Sequence, residues 1–179
     1  MNSKLYLRAF EYEDLPFINL LRNEDELYKY TCGNKFYISS ERDIKWIEDK
    51  IFNNRDQLYL MLCTKGENTP IGYVAATNID YLNRKAQYGG IVIAREHAGK
   101  GYGTEASQLL LRHIFEELGM NMMYGFWRED HLASLRMAEK IGFKRDGLVR
   151  DYVFKQNGFH NAYIYSILKS EYNSMYVLN

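Results

Sequence analysis

Apolar and polar residues alternate along this chain with two periods, and each switch of period marks an element. Leu5 and Leu7 alternate with Tyr6 and Arg8 ahead of Phe10, a period of two that predicts a first strand over 4–10. Asp14 stands where it can cap the helix that follows. Pro16 falls in that helix's opening turn, where its missing donor costs little, and Leu15, Ile18, Leu21 and Arg22 give it an apolar side and a polar end. Residues 23–30 continue as a polar, acid-rich segment. A second helix begins at Ser40, whose spacing to Asp43 resembles a capping box, and Ile44, Ile47 and Ile51 share one face of it.

Residues 57–63 and 71–77 are rich in Leu, Tyr, Val and Ala, with Lys65, Gly66, Asn68 and Pro70 between them, which predicts a hairpin. Asn83 and Arg84 then turn the chain into a fourth strand over 86–93, where Gly89 and Gly90 predict a bulge or a close backbone approach. From Thr104 the period becomes helical, with Ala106, Leu110, Ile114 and Leu118 on the buried side and Gly119 as the stop. A fifth strand follows over 121–127. Asp130 or His131 precedes a helix carrying Leu132, Leu135 and Ile141, and Gly142 ends it. Phe143 opens a sixth strand region, and residues 149–155 and 159–168 alternate across Asn157-Gly158, a strong hairpin signal. The order of elements predicts an α/β fold with one mixed central sheet, antiparallel pieces and a crossover at a glycine-rich loop.

Composition narrows the function classes. With 179 residues and no repeat, linker or low-complexity segment, a single domain over 1–179 is expected. Lys and Arg balance Asp and Glu, and no basic run appears, which argues against a nucleic-acid partner. The apolar runs fall short of a membrane span and the N-terminus lacks a signal pattern, so a cytoplasmic protein without a membrane partner is expected. Cys32 and Cys63 are far apart and form no metal-spacing motif, so two reduced thiols and no metal are expected. The 16 tyrosines suit an apolar cleft with polar tips as well as an ordinary core.

Chemistry concentrates over 91–106, IVIAREHAGKGYGTEA. Gly99, Gly101 and Gly103 alternate with Lys100 and Tyr102 directly after a strand and before a helix. Such a turn bends tightly, lets a ligand approach the backbone and points several N–H groups one way, and the helix N-terminus adds its own donors. The stretch reads as a cradle for a pyrophosphate. GKGYGT lacks the Lys-Ser/Thr ending of a nucleoside-triphosphate loop, which weighs against that alternative.

That element order, with AGKGYGTEA and the later ASLRMAEKIGF, resembles the GNAT superfamily of acyl-CoA-dependent N-acyltransferases, within it the branch of ribosomal-protein N-terminal and spermidine acetyltransferases. The likeness runs from LYLRAFEYEDL to YSILKSEY. It implies a mixed sheet of about seven strands flanked by about four helices, splayed between strands 4 and 5 to admit the pantetheine arm of acetyl-CoA. The backbone of Ile91, Val92 and Ile93 would bind that arm. The pyrophosphate would rest on N–H groups of Ala98, Gly99, Lys100, Gly101, Tyr102, Gly103 and Thr104, with Lys140 toward the nucleotide end. His131 and Ser134 would lie near the thioester sulfur.

The implied reaction is direct attack of a primary amine on the thioester. An amine with a pKa near ~10 must first lose a proton. The attack creates an oxyanion, and one strand N–H aimed at it is worth about 3 kcal/mol. The family's general-acid tyrosine position is Ala138 here, Ala98 heads the loop motif in place of Gln or Arg, and the fourth-strand Glu is Gln87. Ser134 is therefore the candidate proton donor and His131 a second candidate for proton transfer, with Asp151 and Glu26 as more remote bases. The acidic patch Glu24, Asp25 and Glu26 would favour a cationic acceptor if it walls the acceptor site. Candidate acceptors are a polyamine, an amino sugar or aminoglycoside-like compound, or a protein N-terminus. A non-catalytic acyl-CoA-binding module is the alternative. Oligomeric state stays open, with a homodimer through the late strands as one outcome and the Tyr152–Tyr165 hairpin serving as interface or as acceptor wall.

Overall fold

The computed structural model describes residues 3–29, 31–53 and 55–177. Seven strands form one sheet: β1 Leu5–Ala9, β2 Leu58–Thr64, β3 Pro70–Asp80, β4 Lys85–Ile93, β5 Met122–Arg128, β6 Lys144–Lys155 and β7 Gly158–Leu168. They are ordered β1-β2-β3-β4-β5-β7-β6. All neighbours are antiparallel except β4 and β5, which run parallel because the crossover between them passes through a helix. The helices are α1 Leu15–Asn23, α2 Asp25–Tyr28, α3 Ser40–Phe52, α4 Tyr102–Arg112, α5 Leu132–Lys140 and α6 Lys169–Tyr176.

The two faces of the sheet carry separate cores. Tyr73 and Val74 are adjacent in β3 and so point to opposite sides. Tyr73 joins Phe10, Ile18, Leu21 and Ile47 under α1 and α3, while Val74 joins Leu110, Ile114, Phe115 and Ile167 with α4. Glu105 in the first turn of α4 fastens that helix to β1, its Oε1 accepting from the Lys4 and Leu5 N–H groups at 2.7 and 3.0 Å. At the far end a wide helical turn over His113–Glu117 runs into Gly119, whose φ of +65° only glycine adopts freely, and the Arg84 guanidinium donates to the Gly119 carbonyl at 2.9 Å.

Several local expectations shift. Asp14 is the residue before α1 but does not cap it. Its carboxylate instead accepts from the Glu11 N–H at 2.9 Å and pairs with Arg8 at 2.7 Å, closing the short helical turn Tyr12–Asp14. The cap of α3 is Ser39, whose Oγ accepts from the Arg42 N–H at 3.2 Å, one residue ahead of the expected Ser40. Asp43 is then free of capping and lies fully buried against Arg22 and Asn19. Ile47 is the buried member of its expected apolar face, and Ile44 stays 39% exposed. The polar segment 23–30 contains the short helix α2, and Tyr30, its expected end, lies outside the described residues. In the late hairpin the central turn residues are Gln156 and Asn157, at φ +53° and +61°, with Gly158 already paired in β7. The final helix α6 was not expected, since Lys169–Tyr176 shows only a weak apolar stripe.

Candidate active site

The parallel pairing of β4 and β5 lasts three residue pairs, from Lys85↔Met122 to Gln87↔Tyr124. Beyond Gln87 the strands part, and the β5-facing edge of residues 88–93 has no strand partner among the described residues. A bulge starts the parting. Ala75 pairs with Gly90 and Ala76 with Tyr88, so Gly89 is the extra residue. A Cβ on Gly89 would come within 3.1 Å of the Ala75 carbonyl, and Gly90 sits at φ +107°, so the two glycines have distinct steric reasons. The splay and bulge expected between strands 4 and 5 are present. They expose backbone donors and acceptors of Gly89–Val92 to a cavity of about 540 Å³.

The glycine loop lies just past the end of β4. Gly99 and Gly101 adopt φ +75° and +83°, and a Cβ at either would meet no protein atom within 4 Å, so this side of the loop is open for a ligand. α4 begins at Tyr102, two residues earlier than expected, with Gly101 in the position before it. Its first return bond runs from the Glu105 N–H to the Gly101 carbonyl at 3.2 Å, which places the N–H groups of Tyr102, Gly103 and Thr104 ahead of it. Those N–H groups have no acceptor within the helix, and they follow the loop directly in the chain. Lys100 and Ala98 are exposed, whereas Gly103 is packed, its Cβ position 3.4 Å from the Met137 sulfur. Lys140, three residues beyond Met137 on α5, is exposed. Among the expected cosubstrate contacts, Ile91 and Val92 line the cavity, while Ile93 and residues 98–104 lie outside its lining and form the cradle region.

His131 and Ser134 line the same cavity from the start of α5. His131 occupies the position before the helix, and the Ser134 N–H donates to its carbonyl at 3.0 Å, so one tight turn holds both side chains at the mouth of the splay. Both are half-buried. Burial lowers the His131 pKa from its ordinary 6.5, with nearby Asp130 opposing the shift and Arg128 adding to it, so the imidazole is neutral at pH 7. Asp130 itself is resisted by burial, but the hydrogen bonds and charge of Arg128 prevail and hold its carboxyl below the usual range. Arg128 is 1% exposed. Its guanidinium donates to both Asp130 oxygens, at 3.0 and 2.5 Å, and to the Lys29 carbonyl at 2.9 Å, tying β5 to the segment after α2.

Other expected site residues fall elsewhere. Glu26 is exposed and pairs with Lys29 at 4.0 Å, and Asp151 is exposed at the outward-facing β6, so neither reaches the cavity. Asp25 of the acidic patch pairs with Lys35, and both line a second cavity of about 550 Å³ that shares Tyr28, Asn34 and Phe36 with this one. Ala138 is fully buried in the core beneath α5, so this position offers no group to the cavity. Gln87 does line it, at the point of splay, its Oε1 accepting from Asn78 at 2.8 Å. Cys32 is a free, half-buried thiol in the lining, and Cys63 is buried.

Sequence reasoning missed most of the far wall. Arg22, Tyr28, Phe36, Trp46, Tyr59 and Tyr73 converge there from elements far apart in the chain. The only signal was the tyrosine content, which carries no position. Tyr152 completes the wall from β6.

Comparison with known proteins agrees with this geometry. Residues 4–144 match the acetyltransferase (GNAT) domain family. The spermidine N(1)-acetyltransferase of Vibrio cholerae is 27% identical over 172 residues, covering 96% of this chain and 97% of its own. The N-acetyltransferase p20 of Bacillus licheniformis is 29% identical over 171 residues, covering 94% of this chain and 95% of its own. A crystal structure of the Vibrio cholerae spermidine N-acetyltransferase in complex with CoA and spermine superposes with a TM-score of 0.89 at 26% identity, covering 96% of this chain and 99% of that one.

Proposed function

This chain belongs to the acetyltransferase (GNAT) family, and from that premise we propose how its site moves an acetyl group from acetyl-CoA to a primary amine. The observation that carries the proposal is the joining of two features: an open glycine cradle at a helix N-terminus, and a splayed strand edge that leads from it into a cavity holding His131 and Ser134. The diphosphate of acetyl-CoA rests on N–H groups of residues 98–104, with Lys100 and Lys140 adding positive potential. The pantetheine arm lies along Ile91–Ile93 as an added strand would, and the thioester reaches Gly89 and Gly90. The whole of 1–179 acts as one catalytic unit, because β6 and β7 complete the sheet that the matched segment begins.

His131 is neutral at pH 7 and takes the proton from the incoming ammonium. The amine nitrogen then bonds to the carbonyl carbon, and backbone N–H groups of the bulge receive the developing oxyanion. As the carbon–sulfur bond breaks, the Ser134 hydroxyl gives its proton to the leaving thiolate and recovers one from the new amide nitrogen. The sum is one amide, one CoA thiol and one proton released to solvent. The spermidine acetyltransferases among the relatives bring a polyamine into consideration as acceptor, beside an amino sugar and a protein N-terminus. The setting proposed is cytoplasmic, since acetyl-CoA is an intracellular thioester; no helix among the described residues is long and apolar enough to cross a membrane.

A second reading, a non-catalytic acyl-CoA-binding module, draws on the buried Ala138 and on the lack of any carboxylate in the cavity lining among the described residues. Calorimetric titration with acetyl-CoA and thiol release on an amine panel separate the two. Binding with turnover on at least one amine is the expected result, and binding with none would leave the module reading standing.

A further inference from the structure

We infer that the acceptor end of this cavity takes a primary monoamine with an uncharged aromatic body in preference to a polyamine, an inference that rests on the amine acetylation proposed for this site. Two aromatic walls face the cavity. Trp46, Tyr59 and Tyr73 form one, with Trp46 and Tyr59 edge to face at 5.2 Å and 81°. On the β5–β6 side, Phe126 and Tyr152 form the other, stacked at 4.6 Å and 15° into a flat platform. Surfaces of this kind bury a ring well.

Charge points the same way. A polyamine bound here would bring one or more ammonium groups besides the reacting one, and each would need a carboxylate or water. Among the described residues no Asp or Glu lines the cavity. The nearby acids are committed to cations of the protein: Asp43 to Arg22, Asp130 to Arg128, Asp25 to Lys35. Aromatic faces can substitute for a carboxylate by holding a cation over the ring, but on the Trp46–Tyr59 wall those rings already hold cations. The Arg22 guanidinium stands 4.0 Å from the Trp46 ring centroid, and the Lys50 ammonium stands 5.5 Å from Trp46 and 5.2 Å from Tyr59. A distal ammonium entering this wall would meet Arg22 rather than a free ring. An aromatic body needs no counter-charge.

The test uses the full chain with acetyl-CoA and reads initial rates of CoA thiol release for phenethylamine, tyramine, spermidine, glucosamine and a short peptide with a free N-terminus. The expected kcat/KM for phenethylamine or tyramine exceeds that for spermidine by roughly tenfold or more, the scale on which an apolar pocket discriminates. Tyr152→Ala, at a residue 39% exposed on a surface strand, should raise KM for phenethylamine several-fold and leave the Kd for CoA unchanged. Equal or better use of spermidine, glucosamine or the peptide overturns the inference while the acetyl-transfer reading stands. An unchanged phenethylamine KM in Tyr152→Ala removes the platform and overturns it too. Tight CoA binding with turnover of none of the amines defeats the transfer reading itself, and this inference with it.

Discussion

Valine at position 101 is the perturbation that bears most directly on the cradle. Gly101 sits at φ +83°, a conformation that costs an ordinary residue about 1–3 kcal/mol and a β-branched one toward the upper end. No protein atom lies within 4 Å of a Cβ there, so the fold itself meets no clash and the stability loss is limited to that conformational cost. The loop has two responses. It can keep its shape and hold the new side chain in the space where a diphosphate would lie, or it can leave the left-handed region and turn its N–H groups away. Either response removes at least two charge-assisted hydrogen bonds worth about 1.5 kcal/mol each, or about 3 kcal/mol together. That corresponds to a rise of roughly a hundredfold in Kd. Calorimetric titration of Gly101→Val with CoA, beside a thermal melt, reads both effects, and Gly101→Ala should fall between it and the parent. A folded Gly101→Val that binds CoA within about threefold of the parent would refute the cradle assignment.

Ser134→Ala should lower kcat by about a hundredfold, the lower range for a positioned proton donor, while the acetyl-CoA Kd changes little; a change confined to Kd would make Ser134 a binding residue. His131 carries two signs. Its folded pKa lies below 6.5, so the neutral base is lost only as pH falls through that lowered value, and kcat/KM should rise from acid with a midpoint below 6.5, with His131→Gln abolishing this acid limb. For stability, the unfolded chain binds the proton more readily, so stability is full above the unfolded value near 6.5 and declines as pH falls through the folded one; an opposite slope in denaturant titrations across that window would count against the burial of this ring. Arg22→Ala leaves the fully buried Asp43 with Asn19 as a remaining partner at 2.6 Å, and it should cost about 3 kcal/mol, read as a fall in denaturant midpoint. Replacing Asp43 with Asn in the same variant should recover part of the loss.

The parts of this protein that local chemistry dictates were legible in its sequence. Apolar patterning gave β1, β2, β4 and β5 within a residue and β3 all but its last three residues, because these strands set side chains against the cores on the sheet's two faces. The glycine loop was legible for a different reason: Gly99 and Gly101 need positive φ, and only glycine meets that need without strain. Errors arose where two residues compete for one role. Ser39 and Ser40 can each cap α3, and the choice depends on Asp43 being drawn into a buried pair with Arg22 from another helix. The late turn moved by one residue because Lys155 pairs with Gly158, which leaves Gln156 and Asn157 as its two central residues, both at positive φ. The far wall of the cavity was not legible. Trp46, Tyr73 and Tyr152 are ordinary aromatic positions in a helix and two strands, and only the sheet's long-range order brings them together. In the acidic patch the Glu26–Lys29 pair is local, three residues apart, whereas the pairing of Asp25 with Lys35 depends on how the chain folds back after α2.

A crystal structure of the full chain with CoA and an unreactive acceptor analogue tests the central claim most directly. Diphosphate oxygens are expected within about 3 Å of backbone N–H groups of residues 99–104, with the pantetheine arm running between β4 and β5 and the CoA sulfur beside Ser134 and His131. Density for CoA outside the β4–β5 opening, or a sulfur remote from both side chains, would contradict it.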